Sequence, residues 1–276
     1  MKNSPEVTPQ FLKKVEEYDP DKIFILDKPL VSQDFLDRVH IPVVWLDHHE
    51  PQNMDKVEYF NSRTRGEIQP TSCMAYQVVK HDLWIAMMGC VGDWYLPDFK
   101  DEFIAQYPDL LSKKIKTPPQ ALFDSKLGEL VKVVSFILKG KTDEAMKCIK
   151  ILTRIASPYE ILNQETPRGK YIYKRYEKLK VEYDEILNEA KKAATKDKIL
   201  FYAYRADRNS FTKELSNEML YLFPTKIIML GREKSGDMKL SLRSSKVNIS
   251  NILKKALVGI EGNGGGHDLA CGASVS

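Results

Sequence analysis

An aspartate and two histidines follow an apolar run in the first fifth of the chain. Residues 43–46 are apolar, and Asp47, His48 and His49 come directly after them. Four apolar residues are enough for a buried strand, and parallel sheets carry their chemistry just beyond the carboxyl ends of their strands. Because two of the five histidines stand side by side here, we interpret the triplet as side chains that a strand delivers to a site.

A second apolar run also ends in an aspartate. Residues 23–26 are apolar and Asp27 follows them. Ser32 can cap a helix between the two runs, and Pro42 opens the second run. A strand, a helix and another strand imply parallel pairing with a right-handed crossover. Asp27 and Asp47 are therefore expected at the same edge of one sheet.

A third carboxylate follows a segment that is apolar on every side. Residues 83–91 predict a buried helix, and Gly92 and Asp93 come after it. An aspartate that ends a buried helix is costly unless it is paired or binds a metal. We therefore expect Asp93 to join Asp27 and His48.

These side chains predict a particular chemistry. Aspartates and a neutral imidazole suit a divalent cation such as Mn²⁺ or Mg²⁺, which can bind a phosphoryl oxygen and lower the pKa of a bound water. The predicted reaction is hydrolysis of a phosphate ester. In the alternative interpretation, His48 and His49 are an ordinary loop pair, and Asp27 and Asp93 only cap helices.

A glycine run lies near the carboxyl end of the sequence. Gly264, Gly265 and Gly266 precede His267. Such a run lets the backbone approach a ligand closely and can form a nest of N–H groups for an anion, with His267 as a further donor. Arg243, at the end of a predicted strand, could contact a phosphate through two nitrogens, although it also fits an ordinary surface arginine.

Composition limits the class of protein. The chain has 276 residues and a net charge of +4, which is too small by itself to indicate nucleic-acid binding. No apolar run approaches the roughly 20 residues of a membrane span, and residues 1–5 lack the apolar core of a signal peptide. We expect a cytoplasmic protein without a membrane segment. The four cysteines lack metal-site spacing and are expected to be reduced.

The remaining patterns predict the domain organisation. Residues 61–65 read as part of a polar loop, 101–164 as helices broken by prolines, and 170–194 as a long exposed helix without proline or glycine. Strands are predicted at 199–204, 226–230 and 238–243, with a hairpin turn at 235–237 and a helix at 249–258. These elements indicate a domain over 1–165, a linker helix over 166–195 and a second domain over 196–276.

Taken together, the motifs resemble a known family. The sequence resembles the DHH phosphoesterase superfamily, with its DHH-associated carboxyl-terminal domain, at three places: residues 47–49 after a strand, residues 92–93 after a buried helix and residues 264–273 near the end. Residues 27–29, with the long helical insert, are most similar to the archaeal RecJ-like nucleases. The resemblance implies an α/β fold: a parallel-sheet DHH domain with a helical insert, a long linker helix and a smaller α/β carboxyl-terminal domain.

The resemblance also implies roles for the residues of the first domain. Asp27 would bridge two metals, His48 would be a ligand of one of them, and Asp93 would complete the ligand set of that metal. Asp47 would not bind a metal itself but would support the residues that do. His49 would contact the scissile phosphate or assist the leaving group.

In the second domain, the resemblance implies that Gly264, Gly265, Gly266 and His267 hold the substrate phosphate, with Arg243 as a helper. The implied activity is a Mn²⁺- or Mg²⁺-dependent phosphodiesterase, an exonuclease on single-stranded nucleic acid or short oligonucleotides. A small-nucleotide phosphoesterase and a noncatalytic nucleic-acid-binding or scaffold relative are the alternatives.

One motif of the family is missing from the sequence. Relatives begin with a strand ending in Asp-x-Asp, which supplies further metal ligands, and nothing before Asp27 matches it. The chain also ends at Ser276, where relatives continue. Three explanations follow: the sequence is a fragment, a second polypeptide supplies the first strand, or two-metal catalysis has been lost.

Overall fold

A computed structural model describes residues 6–205, 209–234 and 236–276. Contacts divide the chain into two compact units, Met1–Val131 and Lys132–Ser276. Within the described ranges, no helix is both long and apolar enough to cross a membrane. Residues 1–5, at which no signal-peptide core was predicted, and Ser235 of the predicted hairpin turn lie outside the described residues.

The first unit is built on a three-stranded parallel sheet in the order β2-β4-β5. A pair of two-residue parallel strands, β1 with β3, accompanies it. The predicted parallel pairing is confirmed, because Leu26 pairs with Leu46 and the next residues, Asp27 and Asp47, follow at one edge of the sheet. The strands are β1 (Glu6–Val7), β2 (Ile23–Leu26), β3 (Leu30–Val31), β4 (Val43–Asp47) and β5 (Glu58–Asn61).

One face of this sheet is packed against the core. Val43, Trp45 and Asp47 alternate along β4 and all three are buried, as the twofold period of a strand requires. Helices α1 (Leu12–Tyr18) and α2 (Gln33–Arg38) contribute to the same core. The Trp45 indole stacks on Tyr59 with 4.1 Å between ring centroids and donates a hydrogen bond to the Lys28 carbonyl at 3.0 Å. These contacts hold the chain that leaves β2.

The opposite face of the sheet is open over much of its area. Phe24, Leu26 and Phe60 are 64%, 52% and 44% exposed. With helix α3 (Thr71–Val79) they border a largely apolar cavity of about 530 Å³. Parallel sheets normally have both faces covered, so the exposure of this face is unusual for a sheet of this kind.

The middle of the chain is helical, as predicted, and three of the helices begin at a proline. Proline is favoured in the first turn, because its missing N–H has no helical partner there. The helices are α4 (Leu83–Gly92), α5 (Lys100–Gln106), α6 (Pro118–Phe123), α7 (Lys126–Ile137), α8 (Thr142–Leu152), α9 (Pro158–Leu162) and α10 (Pro167–Lys192).

Helix α10 corresponds to the predicted linker, but it is not exposed all round. Tyr176 and Tyr183 are buried on one face of it and pack against Phe136 of α7. Buried residues recur along this face at helical spacing. The prediction of an exposed helix was therefore wrong for this face, because the lysine- and glutamate-rich composition conceals an amphipathic stripe.

The second unit contains a five-stranded mixed sheet in the order β6-β7-β8-β10-β9. Helix α11 packs on β7 and β8, whereas α12 packs on β9 and β10. The α/β fold class is thereby confirmed. The elements are β6 (Ile199–Arg205), α11 (Thr212–Leu222), β7 (Ile227–Lys234), β8 (Asp237–Arg243), α12 (Ile249–Ala256), β9 (Gly262–His267) and β10 (Ala270–Val275).

Two segments differ from their sequence-based interpretation. Asn61 ends strand β5 instead of lying in a polar loop, and the glycine run, for which no strand was predicted, forms strand β9. The first strand has only two apolar residues, Tyr59 and Phe60, which is too short a pattern to recognise. The second has almost no side chains to alternate, and its pairing with β10 supplies the order that its sequence does not show.

Candidate functional site

Asp27 and His48 meet at the carboxyl edge of the parallel sheet. The Asp27 N–H donates to the Leu46 carbonyl at 3.0 Å, and the residue then turns the chain with a φ of +55°. Aspartate tolerates this left-handed conformation better than most residues. Its Oδ1 lies 3.2 Å from Nε2 of His48 and accepts a hydrogen bond from the Thr71 hydroxyl at 3.2 Å. The carboxylate is thus oriented from two sides.

The two groups shift each other's protonation. The hydrogen bond with His48 lowers the pKa of Asp27, although partial burial opposes it. The hydrogen bond with Asp27 raises the pKa of His48, and the negative charges of Asp27, Asp93 and Asp47 raise it further. The carboxylates around His48 therefore favour positive charge at this position, and a bound cation would interact with the same carboxylates.

Asp47 and His49 form a second pair. The Asp47 carboxylate is fully buried. Its Oδ2 accepts the His49 backbone N–H at 2.8 Å, and its Oδ1 lies 2.8 Å from the ring Nδ1 of His49. An ionised carboxylate accepts only, so Nδ1 carries the proton and Nε2 is left with its lone pair. Asp47 thus lies behind His49 and sets its tautomer.

Three side chains form a group with metal-binding potential. Asp27, His48 and His49 each offer one donor atom, and these atoms lie within 4.8 Å of one another. Carboxylate oxygen and imidazole nitrogen together suit a borderline divalent ion such as Mn²⁺, whereas Mg²⁺ prefers an all-oxygen set. The donor set therefore fits the predicted Mn²⁺. The interpretation of His48 and His49 as an ordinary loop pair does not explain this convergence.

Asp93 is placed differently from the prediction. It is the C-cap residue of α4 and is exposed, so the argument from the cost of burial was wrong for this residue. It is not one of the three residues of the group. Its charge nevertheless contributes to the raised pKa of His48, and Trp94 beside it has a φ of +60°. Asp93 thus faces the same region from a tight turn.

The sequence did not identify the residues that hold the two histidines. Asn61 donates from Nδ2 to the His49 carbonyl at 3.0 Å, and Arg63 donates from Nε to the His48 carbonyl at 2.9 Å. Thr71, whose hydroxyl donates to Asp27, was not assigned to the site from the sequence either. The two apolar residues before Asn61 are too few to indicate a strand that ends there, so the sequence carries no signal for this residue.

In the second unit, Arg243 is half-buried and engaged with the protein. Its Nε donates to Oδ1 of Asn217 at 2.8 Å, and Nη1 donates to the carbonyls of Leu242 and Cys271 at 2.8 and 3.3 Å. Burial lowers the pKa of this guanidinium. The interpretation of Arg243 as an ordinary surface residue was therefore wrong, and its planar group is held in one orientation.

Strand register places the predicted anion-binding residues on one face of the sheet. Ala270 pairs with Arg243 on one side and with His267 on the other. Directly opposed residues in an antiparallel sheet point to the same face, so Arg243 and His267 are two strands apart in one row. Gly265 lies two residues from His267 and shares that face. A Cβ at Gly265 would meet nothing within 4 Å, so this part of the face is open.

The other two glycines have structural requirements. A Cβ at Gly264 would lie 2.8 Å from Leu257, which α12 brings against the opposite face. Gly266 has a φ of +142°, and a Cβ there would lie 2.4 Å from the Ala270 carbonyl oxygen. The run is thus an extended strand, and the predicted nest of N–H groups is replaced by a ladder with β10.

Comparison with known proteins agrees with this architecture. Residues 199–276 match the DHHA1 domain. The chain resembles the solved DHH domain of a member of the s1p family of ribosomal proteins, at 11% identity over 99% of this chain and 72% of that chain, with a TM-score of 0.56. It also resembles RecJ of Thermus thermophilus, solved with Mn²⁺, at 12% identity over 98% of this chain and 44% of that one, with a TM-score of 0.53.

No curated protein matches the sequence. The domain match covers the second sheet with both of its helices, and the two structures cover nearly the whole chain at low identity. At such low identity, the similarity to these structures establishes the fold alone. The chain therefore has a carboxyl-terminal DHHA1 domain and, over its whole length, the fold of DHH-domain proteins.

Proposed function

We propose that this protein is a divalent-metal-dependent phosphodiesterase, an exonuclease on single-stranded nucleic acid or short oligonucleotides. The observation that carries the proposal is the group of Asp27, His48 and His49, whose donor atoms lie within 4.8 Å of one another at the carboxyl edge of a parallel sheet. This is the edge at which open α/β sheets bind their ligands. The fold shared with a Mn²⁺-bound RecJ supports Mn²⁺ as the cofactor, with Mg²⁺ as its substitute.

In this proposal, Asp27 and His48 hold the metal, and Asp93 completes the ligand set. A bound divalent ion would supply a Lewis acid for a phosphoryl oxygen and lower the pKa of water. Asp47 orients His49 through two hydrogen bonds of 2.8 Å. His49 then presents Nε2 to the scissile phosphate or to the leaving oxygen, where it can hold or move a proton.

The DHHA1 domain would bind the substrate. Arg243 and His267 lie in one row on one face of the sheet, and this face is open at the neighbouring Gly265. Nε and Nη1 of the arginine have protein acceptors, and Nη2 has none among the described residues, which leaves Nη2 for a phosphate oxygen. A guanidinium that is already held loses little entropy when it binds an anion. Gly264 and Gly266 shape the strand that carries this face.

The domain boundaries proposed from the sequence serve this division of labour: residues 1–165 hold the metal, 166–195 form the connecting helix and 196–276 bind the substrate. A second polypeptide that supplies a further strand remains part of the proposal. In the three-stranded sheet, β2 is an edge strand, and its Phe24 and Leu26 are exposed. A cytoplasmic location also remains a proposal.

The test compares purified protein with a His48→Ala variant on a labelled single-stranded oligonucleotide in the presence of Mn²⁺. We expect stepwise shortening by the wild type and at least a roughly 100-fold slower reaction for the variant, on the order of what loss of a metal contact costs. Equal activity in both samples would contradict the assignment of this site. Binding of the oligonucleotide without cleavage in either sample would favour the noncatalytic alternative.

A dinucleotide and a nucleoside monophosphate ester belong in the same assay. Faster turnover of these substrates than of the oligonucleotide would favour the small-nucleotide alternative. Chelation with EDTA should stop any reaction, and excess Mn²⁺ should restore it.

A further inference from the structure

The two histidines of the candidate site lie just beyond the sheet ladder, and their carbonyls are held by side chains. Strand β4 ends at Asp47, which pairs with Asn61. The next two carbonyls, of His48 and His49, accept hydrogen bonds from Arg63 at 2.9 Å and from Asn61 at 3.0 Å. The end of β5 thus continues the pairing of the two strands by means of side chains.

These two side chains are also fastened to each other and to the core. Oδ1 of Asn61 accepts the Arg63 backbone N–H at 2.9 Å, and its Nδ2 also donates to the Tyr59 hydroxyl at 2.7 Å. Tyr59 stacks on the fully buried Trp45. The Asn61 amide therefore has partners for both its oxygen and its nitrogen, which fixes its orientation.

The bond from Arg63 to His48 does not depend on a surface ion pair. Nη1 of Arg63 lies 3.4 Å from an exposed Glu50 carboxylate, a contact of the kind that contributes little in water. Nε instead donates to a carbonyl that has left the sheet. The arginine thus acts mainly on the backbone that carries the imidazole.

The position of a metal-binding imidazole depends on this backbone. Constellations of this kind need their atoms held to about 0.5 Å, and loss of a supporting hydrogen bond typically weakens metal affinity by about 10- to 100-fold. Asp27 meets the His48 ring, and Asp47 holds the His49 ring and also accepts the His49 N–H of the His48–His49 peptide. The carbonyl oxygens of the two histidines are themselves bound by Arg63 and Asn61.

We propose that Asn61 and Arg63 are positioning residues that set the metal affinity of the centre by fixing the His48 and His49 carbonyls. This inference rests on the proposed metal centre and adds two residues to it. Neither residue is assigned a contact with metal or substrate. Their effect is expected on Mn²⁺ affinity and on the environment of the two imidazoles.

The first measurement is Mn²⁺ titration calorimetry of the full chain. Arg63→Ala and Asn61→Asp should each weaken Mn²⁺ binding by about 10- to 100-fold. Asn61→Asp keeps the size of the side chain and the oxygen that accepts the Arg63 N–H. It replaces the Nδ2 group that donates to the His49 carbonyl. Arg63→Lys retains one donor and should recover part of the affinity. Arg63 and Arg65 lie in one 3-10 turn, Ser62–Arg65, so Arg65→Ala removes the same charge from the same turn and should bind Mn²⁺ as the wild type does.

The second measurement separates positioning from general stability. In imidazole NMR spectra of the metal-free chain, Arg63→Ala should move the His48 resonances most, and Asn61→Asp those of His49. Urea unfolding identifies a variant that has lost its fold. If Asn61→Asp does so, the comparison of Arg63→Ala with Arg65→Ala decides alone, since neither arginine is fully buried.

The inference is overturned if Arg63→Ala and Asn61→Asp bind Mn²⁺ as tightly as Arg65→Ala does, or if their imidazole resonances do not move. Failure of the wild type to bind Mn²⁺ overturns the proposed metal centre, and the inference falls with it. The two failures are thus distinguishable.

Discussion

The proposed metal centre of the first unit and the proposed anion-binding face of the second are held together in different ways. At the metal centre, side chains fix side chains: Asp47 orients His49, and Thr71 and His48 orient Asp27. On the face of β9 the backbone ladder provides the order, and all six residues of that strand are exposed. A site of the first kind depends on the identity of each residue, whereas a site of the second kind depends on the space that each residue leaves.

Of the substitutions that distinguish the two regions, Asp47→Asn is expected to have the largest effect on activity. An amide offers one acceptor where the buried carboxylate offers two to His49, so the ring tautomer and the backbone turn cannot both be maintained. We expect nuclease activity to fall by at least about 100-fold, similar to the loss of a supporting contact at a metal site. Asp55→Asn, an exposed aspartate of the same unit, is the control and should leave activity unchanged.

A pair of glycine substitutions tests the second region. Gly266→Ala should destabilise the protein by about 1–3 kcal/mol because of its strained φ and the 2.4 Å approach to the Ala270 oxygen. Gly265→Ala should change the free energy of unfolding by less than about 0.5 kcal/mol, since its Cβ would point into open space. Urea denaturation measures both. Equal effects would show that the strand is not arranged as described.

Arg243→Lys should affect substrate binding without affecting the metal. Lysine cannot reproduce the three hydrogen bonds that orient the guanidinium, and loss of a charged contact typically costs about 1.5–3 kcal/mol. We expect KM for an oligonucleotide to rise about tenfold or more, with Mn²⁺ affinity unchanged. A parallel loss of Mn²⁺ affinity would contradict the separation of the two sites.

The smallest effect concerns protonation of the metal-free centre. The pKa of His48 is raised in the folded chain, so its pairing stabilises the fold below the unfolded pKa, and this contribution is lost as pH rises through the folded value. The pKa of Asp27 is lowered, so its contribution is lost as pH falls through its folded value. Asp27→Asn should lower the pKa of His48 in an NMR titration. An unchanged His48 pKa would argue against the pairing.

The sequence predicted the parts of the site that strand ends determine. Apolar runs that stop at Asp27 and Asp47 were sufficient to place both aspartates at one edge, because parallel pairing and crossover handedness leave little choice. Asp93 was placed by an argument from burial, and its exposure shows that a buried helix can end at the surface. A helix boundary alone does not reveal how its last residue meets the solvent.

The features that the sequence could not predict arise from contacts between residues that are far apart along the chain. Asn61 and Arg63 carry no pattern of their own, and their role becomes visible only where β5 lies beside β4. Strand β9 has almost no side chains from which to infer pairing. The buried face of α10 was hidden for another reason, since charged residues outnumber the tyrosines and leucines that pack inward.

The central claim is that Asp27 and His48 hold a divalent metal at the carboxyl edge of the first sheet. The most direct measurement is titration of the metal-free protein with Mn²⁺, comparing the wild type with His48→Ala and with His267→Ala. We expect binding by the wild type and by His267→Ala, and loss of at least about 100-fold in affinity for His48→Ala. Equal Mn²⁺ affinity in all three proteins, or loss only in His267→Ala, would contradict it.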